Sequence, residues 1–330
     1  MCGERVRGSG NLANMNYRAV MVCALTAGAL LAGGKKPAKL KDHYAQVNGV
    51  KLHYVSAGKG DLIIFLHGFP EFWYEWKNQL AEFGKDHLAV APDMRGYNLS
   101  DKPGDVDSYQ MKYLIEDVRT LARHLGYRKF TLVAHDWGGA VAWALAIAHP
   151  ECIEKLVIVN APHPGVFARL LRDDPAQQKA SGYMLLFRSP QAESILSANH
   201  YAALVDAVLG PGLKSGAFNE DDKKAYIEAW SQAGALTGGL NYYRAARVGP
   251  PQPGGGSTGN FAVDETNLTV NVPTLLIWGE RDTALLTANL DGLDQFVPRL
   301  TIKRIPDGTH WVIHETPEEV NGYIREFIGK

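Results

Sequence analysis

The chain has 330 residues, of which 46% are hydrophobic and 21% charged, with 34 Lys and Arg against 35 Asp and Glu. That profile excludes a disordered chain, a collagen-like repeat and a disulfide scaffold, and it predicts a globular protein with a full core. A formal net charge of −1 supplies no basic field for a phosphate backbone or an anionic membrane, so the expected partner is a small neutral molecule and not nucleic acid. The three cysteines, Cys2, Cys23 and Cys152, fit neither a zinc site nor a redox pair, and no metal is expected.

Residues 1–34 differ from the rest. Arg5, Arg7 and Arg18 precede an uncharged run, AVMVCALTAGALLAGG, that ends at Gly34 before Lys35 and Lys36. A positive stretch, a short apolar stretch and small residues are the layout of a signal peptide. The run is about 16 residues, short of the roughly 20 that span a bilayer, so no stable membrane span is expected. Met15 offers a second start that leaves a shorter leader. Export to the periplasm or the medium follows if the leader is cleaved; a cytoplasmic extension is the alternative.

From His43 the pattern becomes alternation around a turn, HYAQVNGVKLHYV, in which Asn48-Gly49 suits the two positive-φ positions of a type I′ hairpin. Four short apolar runs follow: DLIIFLHG (61–68), HLAVAPD (87–93), KFTLVAHD (129–136) and EKLVIVNAP (154–162). Such runs predict strands buried on both faces of a parallel sheet. Between them, residues 110–125 place Tyr113, Leu114, Val118, Leu121 and Leu125 on one helical face and stop at Gly126, and residues 138–149 read as a small-residue helix ending before Pro150. Residues 165–247 carry no convincing strand and predict an inserted helical cap, closed by a Pro/Gly-rich return loop over 248–259. Strand patterns resume at TLLIWGERD (274–282) and LTIKRIPDG (300–308), and a last helix is expected from Pro317 to Ile328. The core is therefore one α/β domain built from residues 35–164 and 260–330, a mostly parallel sheet flanked by helices, with the cap set on it.

Open parallel sheets place their active sites at the carboxyl ends of strands. Reactive residues stand at such ends in four places: His67-Gly68-Phe69-Pro70, Ala134-His135-Asp136-Trp137-Gly138, Asp282 and His310. The second has the layout of a nucleophile elbow, a sharp strand-to-helix turn that pushes one side chain out over the sheet, with Asp136 at the apex where a serine hydrolase has Ser. The order Asp136, Asp282, His310 matches nucleophile, acid and base. On these residues the chain resembles the α/β-hydrolase fold, and within it the epoxide hydrolases and the closely related haloalkane dehalogenases, over residues 43–329. Ala134 departs from the G-x-D-x-G form common in that group.

The resemblance implies a cofactor-free reaction. A carboxylate displaces a leaving group at an sp³ carbon and leaves an alkyl-enzyme ester. His310, oriented by Asp282, would then activate the water that hydrolyses the ester. The backbone N–H groups of Phe69 and Trp137 would hold the oxyanion. An epoxide oxygen leaves as an alkoxide and needs a proton, a task suited to phenols with pKa of about 10. By similarity the two cap phenols are Tyr183, in YMLLFRSP, and Tyr243, in NYYR. A haloalkane dehalogenase would use the same Asp136, His310 and Asp282, with Trp137 sharing the halide, but Phe69 offers no side-chain donor. The expected substrate is a small, largely apolar epoxide, with water as co-substrate. Haloalkane dehalogenation is the first rival reading and a non-catalytic binding relative the second; a serine esterase is excluded because no Ser stands at the elbow.

Competing residues remain at several positions. His314 is an alternative base, Glu280 an alternative acid, and Tyr201 and Tyr226 alternatives to Tyr183. Tyr242 lies about 100° from Tyr243 on a helix, so only one of the two can face the pocket. His67 and His135 are read as packing and turn residues, Asp93 to Tyr97 as a structured turn, and Phe72, Trp73, Tyr74 and Trp76 as part pocket wall and part core.

Overall fold

A computed structural model describes residues 39–252 and 267–329. The leader expected at 1–34 and most of the return loop expected at 248–259 lie outside the described residues. The chain opens with a hairpin, β1 (Lys41–Val47) and β2 (Val50–Gly58). Its turn residues Asn48 and Gly49 have φ of 44° and 80°, as a type I′ turn requires. The apolar runs form β3 (Leu62–Leu66), β4 (Leu88–Pro92), β5 (Phe130–His135), β6 (Ile153–Val159), β7 (Thr274–Gly279) and β8 (Leu300–Ile305). They assemble into one eight-stranded sheet in the order β1-β2-β4-β3-β5-β6-β7-β8. β2 runs antiparallel to both its neighbours, and the remaining pairs are parallel.

Burial explains the sequence patterns. All residues of β3 and β7 are buried, whereas the edge strands β1 and β8 expose much of their length. Side chains alternate across the sheet into two apolar layers. Ile64, Leu66, Leu132, Ala134, Leu156 and Ile158 join one, and Ile63, Phe65, Val133, Val157 and Val159 the other. The first layer is covered by α2 (Met111–His124) and α3 (Asp136–Ala148), the second by α1 (Lys77–Phe83) and α12 (Pro317–Ile328). The helix expected from residue 138 begins two residues earlier, because Asp136 itself opens α3.

After β6, residues 164–246 carry helices: α4 (Pro164–Asp173), α5 (Pro175–Ala180), α6 (Tyr183–Arg188), α7 (Ala192–Leu204), α8 (Gly210–Ser215), α9 (Glu220–Trp230) and α10 (Ala235–Ala246). A short helix, α11 (Val312–Glu315), precedes α12. Among the described residues no helix is long and apolar enough to cross a membrane.

Candidate active site

The carboxyl ends of β3, β5, β6, β7 and β8 converge beneath the helical insertion. Asp136 sits where β5 turns into α3, with φ of 45°, a left-handed backbone that lifts its side chain above the sheet. The tightness of this turn rests on missing side chains. A Cβ on Gly138 would lie 2.3 Å from the Leu66 carbonyl oxygen, and one on Gly68 would lie 2.5 Å from the Asp136 Cβ. The backbone N–H of Phe69 donates to Asp136 Oδ1 at 2.8 Å, and that of Trp137 also bonds the carboxylate. The two N–H donors expected to hold an oxyanion thus converge on Asp136.

His310 follows β8 and faces Asp136. Its Nδ1 lies 2.6 Å from Asp282 Oδ2, so Nδ1 carries the proton and Nε2 is left pointing toward Asp136 Oδ2, at 3.7 Å. Asp282, just past β7, accepts at Oδ1 from the N–H groups of Ala284 and Leu285 at 2.8 and 2.9 Å, and at Oδ2 from Asn160 Nδ2 at 2.9 Å. Burial works against the Asp282 charge, but His310 and these donors outweigh it and hold the carboxyl below its ordinary range. Burial likewise disfavours the His310 cation; Asp282 and then Asp136 overcome it and raise the imidazole to about 9. Asp136 moves up from its usual value through burial, partly offset by His310 and the two N–H groups.

Tyr243 on α10 and Tyr183 at the start of α6 face each other with ring centroids 6.4 Å apart. Both line, with Asp136, two cavities that meet at that carboxylate. One of about 440 Å³ extends past Phe187, Leu204, Val208 and Trp311 toward His310. A narrower cleft of about 30 Å³ runs the other way, among Ala140, Phe167, Met184, Val248 and Leu285. Burial, and then the Asp136 charge, raise both phenols well above the ordinary tyrosine value, so both hold their protons as donors.

The competing residues are engaged elsewhere. His314 Nε2 lies 2.7 Å from Glu71 Oε1, Glu280 pairs with Arg304 at 2.9 Å, and the Tyr201 hydroxyl donates to the Trp230 carbonyl at 3.2 Å. The Tyr226 hydroxyl donates to Glu71 at 2.6 Å, and that of Tyr242 donates to the Arg95 carbonyl at 2.9 Å, away from the pocket. His67 braces its turn, Nδ1 donating to the Gly68 carbonyl at 2.8 Å and Nε2 accepting from Met94 N at 3.0 Å. Asp93 organises the next turn by accepting from Trp73 N, His53 and Asn98. None of Phe72, Trp73, Tyr74 and Trp76 lines either cavity at Asp136; Phe72 and Trp76 are buried packing residues.

Two contributors went unread in the sequence. Asn160, at the end of β6, holds Asp282; the strand-end rule points to it, but an Asn carries no reactive group to draw notice. His135 is more than a turn residue, since its Nε2 bonds the His310 carbonyl oxygen at 2.9 Å.

Known proteins share this architecture. The profile of the alpha/beta hydrolase fold family matches residues 61–317. Epoxide hydrolase 4 of Mus musculus is 38% identical over 291 residues, 85% of this chain and 77% of that protein. The AB hydrolase superfamily protein YfhM of Bacillus subtilis is 38% identical over 293 residues, 88% of this chain and 98% of its own length. Among solved structures, an epoxide hydrolase of Bacillus megaterium in complex with an inhibitor superposes with a TM-score of 0.79 at 38% identity, covering 87% of this chain and 100% of its own. With an aspartate at the elbow and an Asp-oriented histidine facing it, the chain belongs to the α/β-hydrolase fold and, within it, to the epoxide hydrolase family.

Proposed function

We propose that the enzyme converts a small, largely apolar epoxide to a vicinal diol in two covalent steps centred on Asp136. Oδ1 is engaged by the Phe69 N–H, which leaves Oδ2 to attack an epoxide carbon. That attack forms a C–O ester bond, breaks the ring C–O bond and leaves an alkoxide beside Tyr183 and Tyr243. Both phenols are raised in part by the Asp136 charge. Attack consumes that charge, so the phenols become better acids as the alkoxide forms.

Hydrolysis is the task of His310. Its Nε2 removes a proton from a water that attacks the Asp136 carbonyl carbon, and the resulting oxyanion is held by the N–H groups that bond the Asp136 carboxylate, those of Phe69 and Trp137. Its collapse breaks the ester C–O bond, the departing diol oxygen takes the proton from His310, and the proton left on the Asp136 acid restores the phenol. Ester formation also removes the Asp136 charge that helps hold the proton on His310. The base is thereby freed when it is needed. The apolar body of the substrate fits the larger cavity, and the cleft takes a small substituent.

The observation that carries this reading is the convergence of Tyr183 and Tyr243 on the cavities at Asp136. Replacing His310 with Gln and incubating with a styrene-type epoxide should trap an ester visible by intact mass. A bromoalkane should give neither adduct nor bromide; bromide release would move the enzyme to dehalogenation, and no adduct with either would remove the nucleophile from Asp136. We also propose that the leader directs export, which N-terminal sequencing of the protein from its native host tests.

A further inference from the structure

Behind the catalytic histidine lies a buried cluster that the two-step reaction does not use. Glu71 and Glu75, from the turn after β3, and His135, at the end of β5, are all at most 1% exposed. Glu75 Oε2 accepts the Gly68 N–H at 3.0 Å, and Oε1 lies 2.5 Å from His135 Nδ1. Glu71 accepts at Oε1 from the Tyr226 hydroxyl and from His314 Nε2, while its Oε2 lies 3.7 Å from His135 Nδ1.

The protons follow from the partners. His135 Nε2 faces the His310 carbonyl, an acceptor, so Nε2 carries hydrogen. A second proton on Nδ1 would place a cation in a fully buried site, with its ring centroid 4.6 Å from that of His310. Nδ1 is therefore a lone pair, and two lone pairs 2.5 Å apart would repel, so Glu75 carries the hydrogen, with His135 Nδ1 and the Glu71 carboxylate as its two neighbouring acceptors. Burial, with Glu71 beside it, raises Glu75 well above the carboxylate range, and burial with His310 lowers His135 to about 3, in agreement. A metal ion does not account for the spacing: ligands about 2.0–2.1 Å from a tetrahedral metal stand roughly 3.3 Å apart.

We propose that Glu75 is a positioning residue that, as an un-ionised acid, ties the Gly68-Phe69 oxyanion turn through His135 to the carbonyl of His310. Two hydrogen bonds, Gly68 N–H to Glu75 and His135 N–H to the His310 carbonyl, are joined by the 2.5 Å contact of Glu75 Oε1 with His135 Nδ1, which closes the chain when the acid carries the hydrogen. It sets the base loop and the oxyanion donors in register over Asp136. Glu71, His314 and Tyr226 close the cluster from the other side, with Glu71 as its ionised member, lowered to about 2: burial works against the charge, and His314 and Glu75 outweigh it.

The test is a pair of substitutions read by single-turnover kinetics. Glu75→Leu keeps volume but removes both hydrogen bonds; ester formation should stay within about threefold of wild type while ester hydrolysis slows about tenfold or more. Glu75→Gln presents an oxygen to Gly68 and N–H groups to His135 and Glu71, and should restore hydrolysis to within about threefold. Gln as damaging as Leu, or Leu hydrolysing at the wild-type rate, overturns the proposal. Nitrogen NMR of the wild-type enzyme stands independently of either variant's folding: His135 Nδ1 must appear unprotonated, and a protonated Nδ1 or a metal ion retained in the native mass refutes the assignment.

Discussion

The core and the helical insertion hold their parts of the site by different forces. In the core, Asp136, Asp282 and His310 stand at strand ends and are fixed by directional hydrogen bonds to backbone N–H groups, Asn160 and one another. In the insertion, Tyr183 and Tyr243 are placed chiefly by ring packing, with one hydrogen bond between the Trp137 and Tyr243 side chains. Tyr243 meets Phe69, Trp137 and Phe187 edge-on at 5.4, 5.0 and 5.1 Å, and Tyr183 packs on Phe187 at 5.2 Å. Hydrogen bonds fix angles as well as distances, whereas aromatic contacts tolerate sliding. The proposed nucleophile, acid and base thus sit on the rigid side and the proposed proton donors on the adaptable side.

The largest test of this contrast falls on the core. Asp282→Asn should slow ester hydrolysis by about a thousandfold or more, because the amide no longer enforces the Nδ1–H tautomer or supports the imidazolium. Ester formation should continue, and the ester should accumulate in rapid-quench mass spectra. Parallel loss of both steps would mean that Asp282 serves the fold and not the base. Next come the phenols. Tyr243→Phe keeps the packed ring and removes the donor, so epoxide opening should slow about 10- to 100-fold while Tyr183 still serves. The double replacement with Tyr183→Phe should cost far more than either alone, and strictly independent losses would deny that the two share one alkoxide.

How much of this could be read from the chain follows the same division. The strands were legible because a strand buried on both faces writes a continuous apolar run, and the elbow because small residues flank Asp136 where β5 stops. Asp282 and His310 were legible from strand ends and chain order. Tyr183 could be singled out only by similarity, since a helix rich in Tyr and Leu has the same spacing for packing; what separates it from Tyr201 and Tyr226 is where those hydroxyls bond, on Trp230 and Glu71. The Glu75-His135-His310 chain was not legible, because sheet topology, and no local pattern, brings together residues from three separate strand ends.

A smaller effect is expected at the unread Asn160. Asn160→Ala removes one donor from Asp282 and the partner of the Gly279 N–H, which Asn160 Oδ1 accepts at 2.8 Å. The loss should cost about 1–2 kcal/mol of stability in denaturant titration. Hydrolysis should fall only severalfold, since Ala284 and Leu285 still grip Oδ1. A loss as large as that of Asp282→Asn would make Asn160 an equal partner of the acid.

The subtlest test concerns the proton on His310. Its folded value of about 9 lies above the ordinary 6.5, so the cation stabilises the native state below pH 6.5 and that contribution disappears as pH rises through about 9. His310→Gln should flatten the stability profile across that window in denaturant titrations at stepped pH. The same coupling links the two chemical steps. Asp136→Asn removes a charge that supports the imidazolium, as ester formation does, so the His310 midpoint, followed by its ring C–H resonance, should drop below the wild-type value. A midpoint that stays near 9 would mean that the nucleophile's charge does not hold the proton, and that forming the ester cannot release the base.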